Sequence, residues 1–368
     1  MVSGSGTSSD PWTIANEADL ETIAGNSSYW ASDTYIVVTA DITCTGTHTP
    51  IGDSTTAYQG SFDGQNHTIT NMTIVGTQNA GMFGYCGGAF NVSNFKLVNG
   101  SATATGGGTS AMVIARGSDA STNGAVVSNI ETDHCVVTNS QSWPSGGIMG
   151  SVFYGTDSSQ IPTCTNCYVH DGSVVGSGSA GGIAVTGTNG AASYSVFQNC
   201  KVERMFIGSD SYGTGGDTGG ICGTGTGLGT VTIDGCEVTD SVVTGCSYIG
   251  GIVGQAYPGT RTTYYHATAT ISNCSVKNTL IYARTGDAGG ICGYAGINTY
   301  DYSTSTTISN CSVDRCTIAT NSTNAGGIYG SNNLTSTSST LHNKVTIVSP
   351  SVSNCTIIST NYAGGIVA

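Results

Sequence analysis

A chain of 368 residues with a net charge of −13, only 8% charged residues and 55 glycines is not a nucleic-acid binder, which needs a basic footprint. Leu, Lys, Glu and Arg are too scarce for a helical domain, and no run approaches the roughly 18 apolar residues of a membrane span. Fourteen cysteines, a pI of about 4.5 and Asn-x-Ser/Thr sequons at Asn26, Asn66, Asn71, Asn91, Asn99 and Asn321 lean towards an extracellular setting.

Met1-Val2 before SGSGTSSD reads as a mature or trimmed start, with any leader removed or never part of this sequence. Asn16–Ala24 predicts one or two helical turns, with Ala18, Leu20 and Ile23 available to bury. Tyr35–Thr43 predicts a strand and His48–Gly52 a turn. Gly60–Gly76 predicts a strand pair that leads into NAGMFG at Asn79–Gly84. Residues 1–70 are expected to form a strand-rich cap, and 71–368 one continuous repeat domain.

The order PWTI, LxxIA, DIT, PIG, FDGQNHTITNMTI, GMFG resembles the start of GLUG-motif β-helix proteins, a family of bacterial and archaeal surface proteins and adhesins. The later GGI phrases resemble that family's repeat. The resemblance implies a right-handed parallel β-helix on a cell surface, with no catalytic residues. Size, low charge, cysteine content and the bare carboxyl end are similar to the sheath proteins of filamentous methanogenic archaea.

The repeat is visible in the residues themselves. A Gly-Gly-Ile phrase recurs with isoleucines at Ile148, Ile183, Ile221, Ile252, Ile291, Ile328 and Ile366, spaced 35, 38, 31, 39, 37 and 38 residues apart. A period in the range of about 20–50 residues predicts a solenoid or array. A second phrase, [IV]-x-N-C-x-V, puts Cys167, Cys200, Cys236, Cys274 and Cys311 in one column, with Pro350 and Ile130 at the matching place in other copies. Val169, Val202, Val238, Val276 and Val313 form the next column, and Val175, Ile207, Val243, Ile281 and Ile318 a third. Each repeat then supplies about three short strands. Stacked parallel strands lie about 4.8 Å apart, so like side chains sit on like. The paired glycines allow a tight bend or a positive φ at a corner. They match neither a phosphate-binding GxxxxGK[ST] loop nor a strand–GxGxxG–helix unit.

The candidate functional residues are few. Cys164-Thr-Asn-Cys167 is a lone CxxC without partners at metal-site spacing. The column cysteines read as buried apolar residues. Cys316 and Cys355 fall one repeat apart in a column, close enough for a disulfide. Cys44, Cys86 and Cys246 lie off the columns and read as loop-bridge or intermolecular candidates. Asn166, Asn199, Asn273, Asn310 and Asn354 suggest a ladder of stacked amides. Glu131, Asp133 and His134 are the densest charged set, with Glu131 and Asp133 on one strand face, and they read as a solvated turn rather than a catalytic pair. Tyr264, Tyr265, Tyr300 and Tyr302 fall in long loops, either as a sugar platform or as loop packing.

No cofactor or metal is implied, and the expected partners are other copies of the chain, surface glycans or envelope proteins. A solenoid's open end, with a carboxyl terminus at Gly364-Gly365-Ile366-Val367-Ala368, recruits further strands unless it is capped. The leading expectation is a non-enzymatic extracellular building block of a layer, sheath or filament. An adhesin module is the main rival, and a polysaccharide lyase or hydrolase the other.

Overall fold

A computed structural model describes residues 1–117, 122–152, 160–186, 195–209, 216–224, 230–256, 267–295, 304–331 and 344–368. It is an all-β parallel solenoid in which each strand pairs with its counterpart one turn earlier and one turn later. One turn shows the pattern. Its five strands are Thr163–Thr165, Tyr168–His170, Ser173–Gly176, Ala180–Gly181 and Ala184–Thr186. The three strands expected per repeat become five because two of the phrases bend in the middle.

The first bend falls at the asparagine of [IV]-x-N-C-x-V. Asn94, Asn129, Asn166, Asn199, Gly235, Asn273, Asn310 and Ser349 occupy it in successive turns, with φ between 49° and 63°. A left-handed φ costs most residues roughly 1–2 kcal/mol, and Gly and Asn least, which explains the asparagine column. A second left-handed column follows the second strand: Asn71, Asn99, His134, Asp171, Arg204, Asp240, Asn278, Arg315 and Asn354. Asn354, expected in the first column, belongs to this one, because it precedes Cys355 and not the Pro350 position. The expected amide ladder forms at the first bend. Asn129 Nδ2 donates to Asn94 Oδ1 at 2.9 Å and Asn166 Nδ2 to Asn129 Oδ1 at 3.2 Å, and Asn310 Nδ2 donates to Asn273 Oδ1 at 3.3 Å.

The paired glycines have a different reason from the left-handed one. None of them has a positive φ. A Cβ on Gly220 would lie 2.1 Å from the Gly251 carbonyl oxygen, and one on Gly219 2.0 Å from that of Cys222. The corner therefore closes only without side chains. The isoleucine that follows points inward, and its amide bonds to the next turn: Ile221 N–H donates to Ile252 O at 3.0 Å and Ile252 N–H to Ile291 O at 3.0 Å.

Inward columns run the length of the stack. Ile148, Ile183, Ile221, Ile252, Ile291 and Ile328 are fully buried, and Ile366 is half-buried. Each full burial contributes about 1.5–3 kcal/mol, and only a neighbouring turn supplies the burying surface. Val169, Val202, Val238, Val276, Val313 and Val352 pair in register. In the third column, Val174 and not Val175 stands beside Ile207, because strand alternation turns Val175 outward.

At the amino end, Trp12–Ile14 pairs with Tyr35–Val38, which pairs with Ser61–Thr70, so this segment joins the same sheet as the repeats. The helix spans Glu17–Ala24, capped by the Asn16 side chain, which accepts from Asp19 N–H at 3.0 Å. Leu20 and Ile23 are buried as expected. Ala18 faces solvent, and Asp19 and Ala24 take the inner positions.

Candidate functional site: a charged seam across the turns

The second strand of each turn points alternate residues outward, and in this chain those positions collect the charge. Lys96, Glu131, Tyr168, Lys201 and Glu237 stand in one outward column. Asp133, His170, Glu203, Thr239, Lys277 and Asp314 stand in the next. The left-handed corner residues His134, Asp171, Arg204, Asp240 and Arg315 form the third. Lys96, Lys201, Arg204, Lys277 and Arg315 are five of the chain's nine bases, so the sparse charge is concentrated in one seam.

Its contacts cross from turn to turn. Lys96 Nζ lies 2.8 Å from both Glu131 and Asp133. His170 Nε2 lies 3.0 Å from Glu131, and its Nδ1 lies 2.6 Å from Asp171. Arg204 donates two bonds to Asp171, at 2.6 and 2.7 Å, and a third to Glu203. Tyr168 donates its phenol to Glu203, stacks on His170 with ring centroids 4.2 Å apart, and lies beneath Lys201 Nζ at 5.1 Å. Further along, Arg315 Nε donates to Asn278 at 2.8 Å and Asn354 Nδ2 to Asp314 at 2.9 Å.

The electrostatics follow from these pairs. Arg204, with His170, holds the Asp171 carboxyl well below the usual range. Lys201 and Tyr168 hold Glu203 down to about 2. Burial pushes Glu131 up, but Lys96 and His170 together outweigh it and leave it lowered. The reciprocal pull of Asp133 and Glu131 raises Lys96. Every one of these carboxylates is ionised at neutral pH, which suits a clasp and not a general acid. Glu131, Asp133 and His170 bring three ligand-type atoms within 4.8 Å of one another, as do Asp133, His134 and Asp171, but Lys96 and Arg204 already engage these carboxylates.

The sequence reading found Glu131, Asp133 and His134 and placed Glu131 and Asp133 on one face, as the structure has them. It missed Lys96, Tyr168, His170, Lys201, Glu203 and Arg204. The available signal was the outward positions of the phrase whose inward positions had been aligned: Tyr168, Lys201 and Glu237 each follow a column cysteine.

The cysteines are all free thiols. Cys167, Cys200, Cys236, Cys274 and Cys311 are buried in one inward column, as expected. Cys316 and Cys355 are neighbours in another, with Cys316 N–H donating to Cys355 Sγ at 3.5 Å. Cys44, Cys86 and Cys246 are buried, so the reading of them as loop or intermolecular bridges is corrected: none presents its sulfur at the surface. Cys164 is not without partners. Its Sγ lies 3.7 Å from that of Cys167 and 4.0 Å from that of Cys200, because one full turn brings residue 200 alongside. Tyr264, Tyr265, Tyr300 and Tyr302 lie outside the described residues.

No protein-family model matches the chain. Over 166 residues, 41% of the chain, it is 32% identical to halomucin of Haloquadratum walsbyi, and it spans about 2% of that protein's length. The crystal structure of a candidate immunoglobulin A1 protease from Bacteroides ovatus superposes with a TM-score of 0.53, covering 94% of this chain and 86% of that one at 21% identity. At that identity the likeness is one of fold. Among the described residues, no helix is long and apolar enough to cross a membrane.

Proposed function

We propose that the chain is a non-enzymatic extracellular structural protein whose solenoid accepts further copies at its edge, building a cell-surface layer, sheath or filament of the GLUG and sheath-protein kind. One observation carries this reading. The turn at 344–364 repeats the inner columns position for position, with Ile347 beside Ile308, Val352 beside Val313 and Ile357 beside Ile318. Each turn thus offers its neighbour one repeated template of backbone groups and apolar columns, the kind of strand edge that also pairs with other chains. The partial likeness to halomucin and the low surface charge support an external setting.

Electron microscopy and sedimentation of the purified chain at rising concentration test this. Filaments or sheets are expected, and Ile357→Asp is expected to prevent them while leaving the β-sheet circular dichroism unchanged. A chain that stays monomeric at high concentration, or a variant that assembles normally, overturns the proposal.

A second reading, an adhesin for glycans, draws on a described feature. The Arg116 guanidinium lies 5.9 Å from the Tyr85 ring and 5.6 Å from that of Trp143, and Trp143 is exposed. Aromatic rings flanking a cation suit an acidic sugar. Binding of the monomer to an array of acidic glycans, lost in Trp143→Ala, would favour this reading over assembly.

A further inference from the structure

The amino-end segment leaves a cleft of about 600 Å³ between the carboxyl end of the helix, the turn at 49–54 and the turn at 75–79. That volume falls within the roughly 300–1,000 Å³ of small-molecule sites. Glycines in its lining keep the space clear. Gly52 has φ of 79°, and a Cβ on Gly84 would lie 2.9 Å from the Pro50 Cβ.

The lining is of two kinds. Trp30, Pro50 and Val75 supply the apolar part. Trp30 is fixed by its Nε1, which donates to Ile23 O at 2.9 Å, and Val75 is 53% exposed. The polar part is nearly uncharged. Asn79 Oδ1 accepts from Thr109 N–H at 3.2 Å and Thr109 Oγ1 at 3.3 Å, which fixes the amide. Its Nδ2, and both ends of the Gln78 amide, have no hydrogen-bond partner among the described residues. Asp53 is the one charged residue of the lining, and its Oδ1 accepts from Thr55 N–H at 2.7 Å and Thr56 N–H at 2.8 Å.

This chemistry selects among ligands. No Lys, Arg or His lines the cleft, so a phosphate or carboxylate would enter beside Asp53 without a counter-charge. A single carboxylate does not supply the six to eight oxygens of a calcium site. A wholly apolar ligand would strip water from the amides and replace it with nothing. A saccharide satisfies both parts, because its ring has an apolar C–H face and its hydroxyls donate and accept. We propose that the cleft binds a non-ionic saccharide, with its C–H face against Pro50 and Val75 and its hydroxyls bonded to Gln78, Asn79 and Asp53. Tyr85, Arg116 and Trp143 are not among the lining residues, and binding requires no assembly, so this site stands or falls separately from both readings of function.

Ligand-observed saturation-transfer NMR on the full chain tests the proposal, with maltotriose, cellotriose, chitotriose and mannotriose as probes. At least one of the four is expected to bind. Gln78→Ala should weaken that binding about 2- to 10-fold, the loss expected for one or two hydrogen bonds. Ser54→Trp, which fills the cleft from an exposed position, should abolish it, with the β-sheet circular dichroism of both variants native. Trp143→Ala should leave it unchanged. A chain that binds none of the four overturns the proposal, as does binding that survives in folded Ser54→Trp. Equal affinity in Gln78→Ala overturns the role given to that amide.

Discussion

Arg204 grips Asp171, its predecessor in the second left-handed column, through two parallel bonds of 2.6 and 2.7 Å. The two residues are 33 apart in the chain and one turn apart in space. Both hold φ values near 50°, a conformation that arginine disfavours and aspartate tolerates better. The pair therefore exchanges backbone strain at two corners for a fork-to-carboxylate clasp between turns. The exposed setting makes that clasp sensitive to salt. Arg204→Ala should lower the melting temperature at low ionic strength, and Arg204→Gly should lower it less, because glycine relieves the strain. The gap between native and Ala proteins should narrow in 1 M salt. An unchanged gap would show that the guanidinium acts through packing instead.

At the first corner the ordering rests on asparagine. Asn166 bonds to Asn129, accepts from Asn199 at 3.5 Å, and has φ of 54°. Asn166→Ala loses the amide contacts and keeps the strain, and should cost about 1–2 kcal/mol in urea unfolding. Asn166→Gly should cost distinctly less. Equal losses for the two variants would mean that the side-chain ladder, and not the left-handed bend, selects asparagine.

The Gly-Gly-Ile corner should tolerate least. A Cβ on Gly220 would overlap the Gly251 carbonyl at 2.1 Å, and that atom is backbone. Gly220→Ala should destabilise by more than about 4 kcal/mol, a loss read as failure to yield soluble, protease-resistant protein. Ile252→Ala, in the fully buried column beside it, should cost about 2–5 kcal/mol.

Asp217 supplies a pH dependence of known sign. It is buried at the start of a Gly-Gly corner, where it accepts from Tyr248 N–H at 3.3 Å and Thr224 Oγ1 at 3.5 Å. Burial outweighs these bonds and raises its carboxyl from the ordinary 3.8 to about 7. Between those values the folded chain holds a proton that the unfolded chain has released, so stability falls as pH rises through that window. Below it, both states are protonated and the effect disappears. Urea midpoints at pH 4, 5.5 and 7 should decline more steeply for the native chain than for Asp217→Asn. Parallel declines would refute the assignment. Asp287, in the same column, accepts hydrogen bonds from Thr323, Asn324 and Ser331.

How much was legible depends on the range of the interaction. Recurrence of Gly-Gly-Ile and of [IV]-x-N-C-x-V is written along the chain, and strand stacking turns recurrence directly into columns. The sequence alone therefore determined the parallel solenoid, the buried isoleucines from Ile148 to Ile328, the cysteine column and the amide ladder. It did not determine where each phrase bends, because a left-handed φ at Arg204 or Arg315 is imposed by the turns above and below and contradicts the residue's own preference. Nor did it show which residues of different turns meet. Loop length varies between turns, so Lys96 finds Glu131, Arg204 finds Asp171 and Cys200 finds Cys164 only once hydrogen bonding has set the register. Local preference gives the strands, and stacking decides what faces what.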